Sequence, residues 1–201
     1  MQVCEMSMPW KWTLENEDSK RNPFFDMIAC AACRHIIEKS TIYLNSGTTG
    51  NMMVKYLPDI SFSLVTNSIL IANAAYKKCP LANIIVIGGR MRNRGVCDDE
   101  VAFQQLSTYD FDISFLTGEG FSYEKGLTNS SQKTATLQNM ILNKTQKKIL
   151  LLPYFKVGKN GVFKVIDAQQ IDLLITNKKL DSNKSAVIKL NTISSLSIEY
   201  V

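Results

Sequence analysis

A short run of small and hydroxyl-bearing residues, Ser46-Gly47-Thr48-Thr49, stands directly behind the apolar stretch Thr41 to Leu44 and ahead of a helix-like segment. In that setting glycine lets a ligand approach the backbone, the hydroxyls donate, and the helix start offers free N–H groups with partial positive charge. This is a phosphate cradle in outline, and it reads equally as an ordinary turn with an N-cap. It matches neither the Walker A pattern nor G-x-G-x-x-G, which argues against a nucleoside triphosphate or a dinucleotide. Similar polar punctuation follows four further apolar runs: Thr66-Asn67-Ser68, Gly88-Gly89, Thr117-Gly118-Glu119-Gly120 and Pro153-Tyr154-Phe155-Lys156. Lys156 can supply the countercharge to a phosphate, and Asn67 and Glu119 can hydrogen-bond sugar hydroxyls. Asn67 is as plausible as the cap of the next helix, and Gly88 and Gly89 as the residues of a tight turn.

Other reactive side chains are sparse. Five cysteines (Cys4, Cys30, Cys33, Cys79, Cys97) are odd in number and irregular in spacing, which points to reduced thiols. Cys30 and Cys33 form a lone C-x-x-C whose zinc site would need two more ligands, and the single histidine, His35, falls on another face of the same helix. Neither a metal nor a cofactor is expected.

The elements that must position these residues alternate along the chain. An amphipathic helical period runs from Phe24 to Lys39. Strand-like runs follow at Thr41 to Leu44, Phe62 to Val65, Ile84 to Ile87, Ile113 to Leu116, Ile149 to Leu152 and Leu173 to Ile175. Helical segments separate them at Thr49 to Leu57, Ser68 to Lys78, Asp99 to Ser107 and Gln132 to Gln146. Strands apolar at consecutive positions are buried on both faces and need helices on both sides. The fold class is therefore α/β, a three-layer, Rossmann-like domain with a mostly parallel sheet. The turns after its strands share one edge, where open α/β sheets bind ligands. Val187 to Val201 alternates and is expected to add one or two edge strands. Residues 1–23, with Trp10 and Trp12 flanking Lys11, read as an arm or linker, leaving 24–201 as the domain.

Composition supports an ordinary globular chain: 201 residues, 45% hydrophobic and 20% charged, enough to close a core without disulfides. No apolar run approaches the roughly 20 residues that span a bilayer, and the N-terminus lacks a secretory pattern, so a cytoplasmic, non-membrane protein is expected. The net charge of +5 comes largely from single or paired lysines in the C-terminal third. No arginine-rich stripe interleaved with aromatics accompanies them, so charge alone does not argue for nucleic acid.

A resemblance becomes specific when the runs are taken together. IIEKSTIYLNSGTTGNMMVKYL (Ile36 to Leu57), LVTNSILIANAA (Leu64 to Ala75), IVIGGRMR (Ile85 to Arg92), FDISFLTGEGFSYEKGLTN (Phe111 to Asn129), KKILLLPYFKVGK (Lys147 to Lys159) and IDLLITN (Ile171 to Asn177) follow one another in the chain. In that order they resemble the C-terminal sensor domain of DeoR/GlpR-family bacterial transcriptional repressors. The resemblance implies a fold related to ribose-5-phosphate isomerase, glucosamine-6-phosphate deaminase and coenzyme A transferases. It also implies a phosphorylated sugar or polyol as effector, self-association as a dimer or tetramer, and a pocket lined by Ser46, Gly47, Thr48, Thr49, Thr66, Asn67, Gly88, Gly89, Glu119, Gly120 and Lys156. The chain departs from the family pattern at four positions. Asn45 stands for an acid before Ser-Gly-Thr-Thr, Glu119 for the acid of a Gly-Ala-Asp-Gly turn, Pro153 for an Asp, and Asp98 for a loop glycine. Family members begin with a helix-turn-helix of about 55 residues, whereas this sequence starts at what looks like the linker after it, so DNA contact is expected only through that absent reader.

Three functions compete at this level. The first is a sugar-phosphate sensor that regulates transcription. The second is an isomerase- or deaminase-like enzyme using Glu119 as base. The third is an oligomerisation remnant whose pocket is spoiled by Pro153 and Asp98.

Overall fold

The computed structural model describes residues 23–92, 95–178, 180 and 185–201. The expected N-terminal arm, with Trp10 and Trp12, lies outside the described residues apart from Pro23.

Seven strands form one parallel sheet: β1 (Thr41–Leu44), β2 (Ser63–Thr66), β3 (Asn83–Val86), β6 (Phe111–Leu116), β9 (Thr145–Leu151), β11 (Leu173–Thr176) and β12 (Ser197–Tyr200), in the spatial order β12-β11-β9-β6-β1-β2-β3. Every pairing in it is parallel, with Tyr43 opposite Val65 on one side and Ser114 on the other. Consecutive apolar residues divide between two cores, as the alternation of a strand demands. Ile42, Leu44, Leu64, Phe115, Leu151 and Ile175 face one core, shared with α1 (Pro23–Cys33), α2 (Thr48–Met53) and α3 (Ile69–Lys78). Tyr43, Val65, Leu116, Leu150 and Leu174 face the other, against α4 (Glu100–Leu106), α5 (Gln132–Asn143) and α6 (Ser185–Leu190). This is the three-layer α/β architecture expected from the buried runs.

Several boundaries differ from expectation. The first helix ends at Cys33 rather than Lys39: Arg34 and His35 close tight turns onto the carbonyls of Ala31 and Ala32, and Lys39 takes a positive φ of 64° as the chain swings into β1. Ile36 is buried there while Ile37 is exposed, so the apolar pair that read as helix serves a turn. α5 stops at Asn143, and β9 begins at the polar residues Thr145 to Lys148, which pair with β6. The alternation at Ile188 and Leu190 is helical, in α6, and the C-terminus contributes a single edge strand, β12.

Two small sheets were not legible as strands. β4 (Met91–Arg92) and β5 (Val96–Cys97) make a hairpin, and β7 (Gly120–Ser122), β8 (Gly126–Asn129) and β10 (Phe163–Ile166) make an antiparallel sheet over the C-terminal ends of the main strands. Among the described residues no helix is long and apolar enough to cross a membrane.

Candidate functional site

From β1 the chain winds one way, through β2 to β3, and the later strands are laid down on the other side, beginning with β6 beside β1. The loops after β1 and β6 therefore diverge, and such a switch point is where a crevice opens. A cavity of ≈ 280 Å³ occupies that place. Its size sits at the small end of ligand pockets, about 300–1,000 Å³, and suits one small metabolite.

The loop after β1 supplies Asn45, Ser46, Gly47, Thr48 and Thr49 to the cavity wall. Among the described residues the backbone N–H groups of Ser46, Gly47, Thr48 and Thr49 have no backbone acceptor, while Asn51 N–H already closes onto the Gly47 carbonyl. The loop is held tightly from below, because a Cβ on Gly50 would lie 2.0 Å from the Asn45 carbonyl oxygen and only glycine fits. Asn45 is buried and donates from Nδ2 to Thr117 Oγ1 at 3.3 Å, tying the loop to the end of β6.

Lys156 comes from the far side. Pro153, with φ −65°, starts a single 3-10 turn, Tyr154–Lys156, fixed by Tyr154 N–H on Asn177 Oδ1 (3.1 Å) and Lys156 N–H on the Pro153 carbonyl (2.9 Å). The Lys156 ammonium donates to the Gly118 carbonyl at 3.0 Å and stands 3.8 Å from Glu119 Oε2. Three neutral and polar groups complete a frame behind it. Asn129 Nδ2 donates to Gln138 Oε1 (3.1 Å), and the fully buried Gln138 donates from Nε2 to the Thr117 carbonyl (2.9 Å). Asn129 and Gln138 are thus paired with each other and with the backbone, which fixes the wall without a net charge.

Of the eleven residues expected at the site, Ser46, Gly47, Thr48, Thr49, Glu119 and Lys156 line this one cavity. The other five are placed elsewhere, four of them (Thr66, Asn67, Gly88 and Gly89) by strand order, since β2 and β3 lie on the far side of β1 from β6, and Gly120 because it enters the small antiparallel sheet. Thr66 is fully buried and donates to the Leu44 carbonyl (2.9 Å). Asn67 accepts from Tyr43 Oη (3.0 Å) and donates to the Cys97 carbonyl (2.8 Å), so it pins the β4–β5 hairpin. Gly88 N–H donates to Gln105 Oε1 (3.0 Å); Gly89, at φ +134°, makes room for the Asp99 carboxylate that caps α4. Gly120 belongs to β7, where its carbonyl accepts from Thr128 Oγ1 (2.9 Å). Asp98 pairs with Arg92 at 2.7 Å across the hairpin and does not line the cavity, whereas Pro153 does.

Sequence reasoning missed Phe25, Asn129 and Thr134, which reach the cavity from α1, β8 and α5. No spacing signal marks them; only the packing of distant elements brings them in. His35 lies toward the other end of the sheet, held 2.8 Å from Glu199 Oε2. Cys33 is a core thiol that burial pushes up to about 12, and it points its Sγ at the Met53 carbonyl (3.4 Å). Among the described residues no cluster of His, Cys, Asp and Glu could hold a metal.

Comparison with known proteins fits this geometry. The family model described as the DeoR C terminal sensor domain matches residues 25–178. The chain belongs to that family. Within it, an uncharacterised HTH-type transcriptional regulator, YulB of Bacillus subtilis, is 29% identical over 157 residues, 77% of this chain and 60% of that protein. The lactose phosphotransferase system repressor of Staphylococcus epidermidis is 26% identical over 178 residues, 88% of this chain and 68% of the relative. The chain thus spans about three fifths to two thirds of the length of the relatives it matches. Among solved structures, the probable sor operon regulator of Shigella flexneri superposes with a TM-score of 0.55 at 12% identity, covering 88% of this chain and 89% of that one, a likeness of fold.

Proposed function

We propose that this DeoR-type sensor domain, residues 24–201, binds a phosphorylated sugar or polyol in the cavity between the Ser46–Thr49 loop and Lys156, and that in a transcriptional repressor of sugar metabolism this binding controls contact with DNA. The single observation that carries the reading is the convergence, at one switch point, of unpaired backbone N–H groups, several hydroxyl side chains and the Lys156 ammonium. Backbone donors and a lysine hold a phosphate; the hydroxyls of Ser46, Thr48 and Thr49 and the amide of Asn129 match a polyhydroxylated chain. The relatives are named as transcriptional regulators, and one as a repressor of a lactose phosphotransferase system, which supports a sugar-linked effector and a DNA target for the intact protein. Self-association as a dimer or tetramer is part of the same proposal.

Binding rather than turnover is the role that fits the side chains. Among the described residues Glu119 is the one carboxylate lining the cavity, its side chain is 49% exposed, and it already faces Lys156. Proton transfer next to a carbonyl needs a positioned base and a partner acid, and among the described residues Glu119 has no second acid beside it in the lining. Calorimetric titration against a panel of pentose, hexose and polyol phosphates tests the reading, with product analysis in parallel. Saturable binding without conversion is the expected result; conversion of any member of the panel would install the enzyme reading instead.

A further inference from the structure

The cavity is amphipathic, and its two chemistries come from opposite layers of the fold. On one side Phe25, in α1, lines it together with Leu151 at the end of β9, and both pack in the core that α1 shares with the sheet. On the other side stand Thr134, in the first turn of α5, and Asn129, which β8 carries and Gln138 of the same helix holds. α5 packs into the opposite core through Ala135, Leu137 and Ile141. Leu152 and Pro153 complete the apolar part of the lining. Leu151, Leu152 and Pro153 are buried, whereas Phe25 is half-buried. Phe25 is therefore the apolar side chain with free surface to offer a ligand, and among the described residues it is the one aromatic in the lining.

A phosphate is gripped by donors and a countercharge and has no use for an aromatic wall, so Phe25 acts on the rest of the ligand. A sugar closed into a ring carries C–H groups across its faces and hydroxyls around its rim. Such a ring fits between a rigid apolar surface on one side and hydrogen-bonding side chains on the other. An open-chain polyol carries hydroxyls along its whole length. Laid against Phe25, some of them lose water without gaining a partner, and every rotatable bond that is frozen costs further affinity.

We propose that Phe25 is a specificity-determining residue of the cavity, selecting the ring form of a phosphorylated sugar over an open-chain polyol phosphate. This deepens the reading of the cavity as a site for a phosphorylated ligand and rests on it.

The test titrates the full chain by calorimetry with inorganic phosphate and with pairs matched in carbon number and charge. The pairs are glucose 6-phosphate with glucitol 6-phosphate, fructose 6-phosphate with mannitol 1-phosphate, and ribose 5-phosphate with ribitol 5-phosphate. The pair that holds the tightest binder decides. Its ring member is expected to bind about tenfold more tightly than its open-chain partner, the ratio given by burying roughly 55 Å² of apolar ring surface. In Phe25→Ala that ratio is expected to fall to about twofold or less, and in Phe25→Leu, which keeps apolar bulk against the core without a flat face, to shrink in the same direction. Because each ratio is taken within one protein, a general loss of stability in a variant cancels. An open-chain member that binds as tightly as its ring partner overturns the selection and leaves the phosphate site standing, as does binding of inorganic phosphate alone. A ratio kept whole in both Phe25 variants shows that another residue makes the choice and overturns the assignment to Phe25. If no probe binds at millimolar concentration, inorganic phosphate included, the site reading falls and the selection falls with it.

Discussion

Replacing Lys156 by methionine keeps most of the side-chain volume and removes the one ammonium that the described residues bring to the cavity. In the free protein that ammonium has a neutral acceptor at 3.0 Å and a carboxylate at 3.8 Å, with its side chain 26% exposed. A unit charge pair about 4 Å apart at an effective dielectric near 20 interacts by about 4 kcal/mol gross. Glu119 already takes part of that, and desolvation of lysine and phosphate takes more, which leaves the range of a charge-assisted hydrogen bond, about 1.5–3 kcal/mol. Affinity for a phosphorylated effector should fall about 10- to 150-fold. The assay is a thermal shift, read as the difference with and without effector for each protein separately, so that any change in the variant's own stability cancels. At an effector concentration 100 times the wild-type Kd, binding stabilises the wild type by about 2.7 kcal/mol. For a chain of this size that is a rise in Tm of about 5–11 °C. With a 100-fold weaker Kd the variant gains about 0.4 kcal/mol, a rise of about 1–2 °C. A variant that keeps the whole wild-type shift would show that the phosphate is held elsewhere.

Other perturbations test the frame around the site. Gly50→Ala must displace either the loop or the Asn45 carbonyl, and strain of that kind costs about 1–3 kcal/mol; urea denaturation should show the loss together with weaker effector binding. Gln138→Leu strands Asn129 Nδ2 and the Thr117 carbonyl, at about 1–3 kcal/mol for each unpaired buried group, and a lowered denaturation midpoint with unchanged slope is the expected readout. The hydrogen bond to Asp26, with a smaller push from burial and from the Asp26 charge, raises the Tyr56 hydroxyl to about 12. The folded state therefore favours the neutral phenol. The stability this contributes is fully present below the ordinary tyrosine range and is lost as pH rises from about 10 towards 12, a decline that Tyr56→Phe should abolish in pH-dependent denaturation.

Six of the seven parallel strands were legible because they carry apolar residues at successive positions; β12 alternates instead. Ile42, Tyr43 and Leu44 send side chains alternately into two cores, a pattern that only a strand covered on both faces needs. β7, β8 and β10 were not legible, since sequences such as Gly120–Ser122 are short and gain their order from pairing across the chain. Within the site, residues directly behind β1, β6 and β9 could be read from punctuation alone. The same punctuation behind β2 and β3 pointed to Thr66, Asn67, Gly88 and Gly89, which the strand order sends to the far side of the switch point, where Thr66 and Asn67 bond to the Leu44 and Cys97 carbonyls, Gly88 bonds to Gln105 and Gly89 makes room for Asp99, while Ser68 and not Asn67 caps α3. Nothing in local spacing records the order of strands, and for the same reason Phe25 and Asn129 were invisible: they join the cavity through the packing of α1 and of the small antiparallel sheet.

The most direct test of the account is a crystal structure of the chain with fructose 6-phosphate or another phosphorylated compound selected by calorimetry. The account predicts phosphate density between Lys156 Nζ and the backbone N–H groups of Ser46 to Thr49, with the hydroxylated chain extending toward Asn129 and the ring of Phe25. Density for the phosphate at the opposite end of the sheet, near Arg34 and Lys147, with the cavity still holding only solvent, would contradict it.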